Sequence, residues 1–246
     1  MFDTFGSQHL LTLAIIAALQ IGVLVYTGKF ASEKGKNIIR WIVVLGLLGH
    51  EAIRHIYFAF DGRWDYHTIL PLHLCGLNVF LAAYVLLTKS RRAYPVAYFW
   101  TIGAIHSILT PSITDSFPSY YYIEYFFGHS LTILGILFLI ITSDLRPTFR
   151  SLNIAIIVSF AVIGLIGAVN LILDANYMYL RYPPEGDNLA QLFPDGNYLV
   201  ILILVGIIHF YLFYLLLHFD LPESPIRCGF LSLLLDLVVH SPLPLR

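Results

Sequence analysis

The chain reads as an all-α polytopic membrane protein of seven transmembrane helices, with the N-terminus outside and the C-terminus in the cytoplasm. Three observations predict this: composition, the spacing of apolar stretches, and the distribution of Lys and Arg among the connections. The sequence is 58% hydrophobic and 12% charged. A soluble domain carries about 25% charged residues, so a soluble globular fold is excluded.

Seven apolar stretches are long enough to span, at roughly 20 residues per span. They are Leu10–Tyr26, Ile38–Phe60, Ile69–Thr88, Pro95–Leu109, Ile123–Ile141, Ile154–Leu173 and Tyr198–Leu217. The first is retained as a span rather than a secretory leader, because Met1–His9 lacks Lys and Arg and no small-residue cleavage site follows. The fourth is the shortest, bracketed by Pro95 and Pro111.

Basic residues gather in alternate connections. Lys29, Lys34, Lys36 and Arg40 flank the first, Lys89, Arg91 and Arg92 the third, and Arg146 and Arg150 the fifth. The intervening connections carry mainly acids: Asp61 and Asp65, then Asp115, then Asp174, Glu185, Asp187 and Asp195. The positive-inside rule therefore assigns the first, third and fifth connections to the cytoplasm.

Residues 1–221 form the expected seven-helix domain, and 222–246 a short cytoplasmic or interfacial tail, in which Phe230–Val239 covers only about half a span. The connection Asp174–Asn197, rich in Pro and Gly, reads as an irregular surface loop. Its Tyr177, Tyr179 and Tyr182 suit an interfacial aromatic belt or a gate over a substrate. A net charge of −1 gives no basic field for nucleic acid, and two cysteines, Cys75 and Cys228, give no disulfide framework.

Within this frame the polar residues of the spans collect at one depth, in the extracytoplasmic half. Glu51, Arg54 and His55 lie from the middle of the second span outward; His73, Cys75 and Asn78 open the third. His106 and Thr110 end the fourth, Glu124 and His129 begin the fifth, and Asn170 and Asp174 end the sixth. A charge at mid-bilayer costs roughly 2.5–3.5 kcal/mol on insertion scales, so such groups face one another or a wet cavity. Helical spacing puts Glu51 with His55, and Cys75 with Asn78, on shared faces. His73 and Cys75 point about 200° apart on an ideal helix, which disfavours a dyad unless Pro71 distorts the turn.

Each of these residues also has a plainer reading. A buried cysteine is commonly a small apolar packing residue, and Glu51 with Arg54 or His55 can be a structural ion pair. His209 reads as a hydrogen-bonded packing residue, His218 and Arg227 as boundary residues, and Gly164 and Gly167 as sites of close helix packing.

Several stretches carry a family resemblance: LPLHLC opening the third span, AYFW at Ala97–Trp100, LTP at Leu109–Pro111, FFGH at Phe126–His129 and NLILDANYMYLR at Asn170–Arg181. In this order they resemble the YwaF-like bacterial integral membrane proteins, a family similar to the eukaryotic transmembrane protein 164. Through that branch the resemblance implies a membrane acyltransferase that moves a polyunsaturated acyl chain onto ether lysophospholipids with a cysteine and a histidine. The cysteine maps onto Cys75. The histidine maps onto His129, with His106 as the alternative. Glu51, Arg54, His55, His73, Asn78 and Asn170 are the expected supporting residues, with Glu51 or Asn78 orienting the histidine.

The chemistry is coherent: a thiol is only a few per cent thiolate near neutrality, and a neighbouring histidine can take its proton. Membrane lipids are the expected substrates, in the cell membrane, with no cofactor, metal, nucleic acid or protein partner expected. Two other readings compete. A metal-dependent lipid hydrolase draws on ligand types among His55, His73, Cys75, His106, His129 and Glu51, without any tight ligand motif. A transport or binding protein would use the polar layer as its site, without visible internal repeats.

Overall fold

The computed structural model describes residues 2–183 and 198–218, with side chains to residue 215. The expected tail, with Arg227, Cys228 and Phe230–Val239, the side chain of His218 and most of the last loop lie outside the described residues. Seven α-helices and no strand occur among the described residues. They are α1 (Ser7–Lys29), α2 (Glu33–Phe60), α3 (Leu74–Thr88), α4 (Tyr94–Leu109), α5 (Tyr120–Thr142), α6 (Phe149–Leu173) and α7 (Tyr198–His218).

Helix ends follow local chemistry. Ser32 caps α2 by accepting from the Gly35 amide at 3.2 Å, and Thr148 with Ser151 forms a reciprocal capping box on α6. Lys89 ends α3, and Asp174 ends α6, in the left-handed conformation.

Helix α5 is the axis of the bundle, packing against α1, α2, α3 and α4, while α6 and α7 lean on α4. The core lies between α2, α3, α4 and α5, where Leu47, Leu86, Phe99 and Leu139 are fully enclosed. Outward faces carry exposed Leu19, Leu45, Leu165 and Leu171, as expected of lipid-facing helices. The close packing expected at Gly164 and Gly167 is absent. A Cβ at Gly164 would meet nothing within 4 Å, whereas one at Gly46 would lie 2.6 Å from Leu131. Small residues matter where helices cross α5, and α6 is peripheral.

Five helices, α1, α2, α5, α6 and α7, are long and apolar enough to cross a membrane. The chain is thus an integral membrane protein. Helices α3 and α4 are shorter, at 15 and 16 residues, or roughly 23 Å of rise against a hydrocarbon core of roughly 30 Å. The sequence reading started the third helix at Ile69; the structure starts it at Leu74. Pro71 supplies no N–H and disfavours helical backbone at Leu70, so Ile69–His73 runs as irregular chain. Such backbone survives at membrane depth only inside protein or along a wet cavity.

A buried polar clamp holds that irregular segment. Asn170 donates to the Tyr177 carbonyl at 2.9 Å and accepts from the Tyr177 amide at 2.7 Å. The Tyr177 hydroxyl then donates to the Tyr66 carbonyl at 2.7 Å and accepts from the Leu70 amide at 3.1 Å. Tyr177 is fully buried, so it belongs to neither an interfacial belt nor a gate. On the opposite side, buried His9 accepts from the Phe5 amide at 3.0 Å and donates to the Ile108 carbonyl at 2.8 Å, tying α1 to the end of α4. The substitution Asn170→Ala would leave two buried backbone groups of Tyr177 unpaired, costing about 1–3 kcal/mol. A lowered thermal midpoint of the detergent-purified protein is expected, and an unchanged midpoint would refute the clamp.

Candidate functional site

A cavity of about 370 Å³ opens beside the start of α3, between it, α2, α5 and the end of α4. Cys75 sits in the first turn of α3 and lines it, as do His129 of α5 and Ser107 of α4. The His129 imidazole lies within electrostatic reach of the Cys75 thiol, whose sulfur lies 3.8 Å from Ser107 Oγ. Gly103 clears room for the thiol, since a Cβ there would come within 3.3 Å of Sγ. Cys75 is the free cysteine of the described residues.

His129 is oriented by its own helix. Its Nδ1 lies 2.6 Å from the Tyr125 carbonyl, one turn earlier. A carbonyl only accepts, so Nδ1 carries the hydrogen and the Nε2 lone pair is left for the thiol. Tyr125 then reaches across to α4, its hydroxyl donating to the Ser107 carbonyl at 3.1 Å. One tyrosine therefore sets both the tautomer of His129 and its distance to the α4 wall. Glu51 and Asn78, expected to orient the histidine, do neither. Asn78 is buried lower in the bundle, donating to Ala97 O at 3.2 Å and Thr101 Oγ1 at 3.1 Å as a brace between α3 and α4.

His106 does not approach Cys75. It faces outward on α4, with its ring edge-on to that of His209 at 4.5 Å. His209 in turn bonds the Val205 carbonyl at 2.6 Å, in keeping with a packing role. His73 is the N-cap residue of α3, so the helical-wheel argument against pairing it with Cys75 does not apply; both line the cavity. Its Nδ1 accepts from the Met178 amide at 3.2 Å, and its ring packs on Tyr179, which also lines the cavity. Met178 and Tyr179 take positive φ values of 56° and 53°, an uncommon conformation that turns this strap inward. Asn170 serves the Tyr177 clamp and stays out of the cavity.

The remaining wall is a charged network. Arg54 donates to Glu51 at 2.6 Å and to the Ile69 carbonyl at 2.6 Å, and its Nε lies 3.8 Å from Glu124. One guanidinium thus bridges two nearly buried carboxylates and satisfies a backbone group exposed by the Pro71 break. His55 Nε2 lies 3.3 Å from Glu51, and its Nδ1 accepts from Trp64 Nε1 at 3.0 Å. His55 therefore buttresses Glu51 from outside the cavity. On the far side His50 Nε2 lies 3.1 Å from Glu124 Oε1 and 3.2 Å from the Glu124 carbonyl. Gly128 makes this possible: a Cβ there would sit 2.4 Å from the His50 ring.

His50 escaped the sequence reading. The signal was the HE pair at His50–Glu51 inside an apolar span, read only for its glutamate. Among the described residues no three His, Cys, Asp or Glu side chains converge in a way that could hold a metal ion.

These features define a polytopic helical membrane protein with a thiol and an imidazole together in a cavity that is partly ionic and partly apolar. The chain belongs to the TMEM164 family, whose model matches residues 4–214. It is 25% identical over 189 residues to an uncharacterized protein of Treponema pallidum (strain Nichols), a match covering 75% of this chain and 78% of that protein. No solved structure matches it.

Arg54→Met would leave two carboxylates facing each other nearly buried, and a loss of about 3 kcal/mol is expected. The double variant Arg54→Met/Glu51→Gln should regain part of that loss. Thermal unfolding of both proteins checks the pair, and equal midpoints for single and double variants would refute the bridging role.

Proposed function

We propose that the protein is a membrane acyltransferase acting on phospholipids and lysophospholipids through a thioester on Cys75. The observation that carries this reading is the placement of Cys75 with His129 in a cavity within a lipid-facing bundle. His129 Nε2 takes the thiol proton, and the thiolate attacks the carbonyl carbon of a lipid ester. The oxyanion forms beside the Ser107 hydroxyl and the start of α3, where the first-turn amides have no intrahelical acceptor. Collapse breaks the ester C–O bond, and the leaving alkoxide takes the proton held by His129. An acceptor hydroxyl then attacks the thioester, the C–S bond breaks to release the thiolate, and the proton that the hydroxyl loses balances the one that restores the thiol.

Several further features support the reading. Val79, Phe58 and Leu70 give the cavity apolar wall for an acyl chain, while its other side is ionic. Such division suits an amphipathic substrate. Incubation with phospholipid should give wild-type protein a hydroxylamine-sensitive acyl adduct that C75S lacks. H129Q should acquire the adduct about 100-fold more slowly, and H106Q at the wild-type rate. An adduct on C75S, or full activity without Cys75, would sink the thioester route.

The same proposal places the cavity in the extracytoplasmic half of the cell membrane, on the alternation of Lys and Arg among the connections. A single cysteine at Asp61 in a C75S/C228S background should react with an impermeant maleimide on intact cells, and one at Lys89 should not. The reverse pattern would turn the cavity toward the cytoplasm.

A further inference from the structure

Besides His129 and His73 the cavity is lined by a third imidazole, that of His50, set up differently from His129. Both neighbours of His50 Nε2, the carboxylate and the backbone carbonyl of Glu124, are acceptors. Nε2 therefore carries the hydrogen, and Nδ1 presents a lone pair. That Nδ1 is buried and has no hydrogen-bond partner among the described residues, while the side chain as a whole is 9% exposed and lines the cavity. A buried acceptor without a donor costs about 1–3 kcal/mol. Packing does not demand it, because the ring is admitted only by the missing Cβ of Gly128. A carboxylate behind one ring nitrogen and a free lone pair on the other is the arrangement of a general base.

We infer that His50, held by Glu124, is the base for the acceptor half of the reaction, a role that rests on the thioester reading above. The incoming group is a hydroxyl, from a lysolipid or from water. His50 Nδ1 accepts its proton as the oxygen attacks the thioester carbonyl. The new C–O bond forms, the C–S bond breaks, and the electron pair leaves on the Cys75 thiolate. His50 releases its proton to solvent, and the thiolate takes one from solvent, so none is gained over the cycle. His129 serves acylation from α5 at the thiol, and His50 serves transfer from α2 across the same cavity. Glu124 acts through His50 and is a positioning residue.

The test uses full-length protein in phospholipid nanodiscs, with phosphatidylcholine as donor and a lysophospholipid as added acceptor. Intact mass follows formation and decay of the adduct separately. H50Q should acquire the adduct at the wild-type rate and lose it about 100-fold more slowly. G128A, which displaces the ring, should behave likewise, and E124Q should slow decay more than formation and move the pH profile of decay. New phospholipid as the wild-type product identifies the lipid hydroxyl as the acceptor, and free fatty acid identifies water; either supports the role of His50. Decay at the wild-type rate in H50Q would overturn it. So would equal losses in formation and decay across H50Q and E124Q, which would make His50 a packing residue. If wild-type protein never acquires an adduct, the thioester reading falls first and the base falls with it.

Discussion

The site depends on one constraint, that the third membrane segment cannot be helical through Pro71. Had helix continued from Ile69, Cys75 would sit mid-helix with its amide bonded and its side chain among apolar neighbours. Because α3 begins at Leu74, the thiol stands in a first turn, beside irregular chain that walls a cavity. Gly76 is part of the same device: a Cβ there would lie 2.9 Å from the Pro71 backbone, so only glycine lets the turn fold back on the helix it precedes. Two backbone groups freed by the break, and the side chain of the residue that follows it, are held from three directions. Arg54 takes the Ile69 carbonyl, Tyr177 takes the Leu70 amide, and His73 is held by the Met178 amide.

Two polar systems of different character meet in the cavity. On one side Cys75, His129, Ser107 and Tyr125 stand together, with the Tyr125 carbonyl holding His129 and the Ser107 carbonyl holding Tyr125. Across from them Glu51, Arg54 and Glu124 form an ionic chain, ended by His55 on one side and His50 on the other. Two carboxylates against one guanidinium leave the chain short of positive charge whenever both imidazoles are neutral. Isolation of such a chain in hydrocarbon would be prohibitive; mutual pairing and an open cavity make it tolerable. The glycines at 103 and 128 admit Cys75 and His50 respectively, so backbone without side chains shapes both ends of the site.

Much of the architecture was legible in the chain. Composition and apolar stretches located every α-helix of the described residues, and depth counting brought Glu51, Arg54, His73, Cys75 and His129 to one layer, and all of them line the cavity. One error came from extending helical periodicity through residues that are not helical. It set His73 and Cys75 apart on a wheel they do not share. Tyr177, assigned to a surface connection on its Pro and Gly content, is instead buried because the chain after α6 turns inward. His106 has the same credentials in sequence as His129, a histidine near the outer end of an apolar span, yet it faces away.

The sequence by itself determined what is local or additive. Membrane residence, helix count, the break at Pro71 and a polar layer that includes Cys75 follow from hydrophobicity, proline stereochemistry and the rarity of polar groups in apolar spans. Tertiary structure alone decided which groups meet. The rotation of each helix about its axis is set by contacts between helices distant in the chain, such as His50 against Gly128 and Tyr125 against Ser107. A rotation of about 100°, one residue's worth, separates the imidazole that faces the thiol from one that faces lipid.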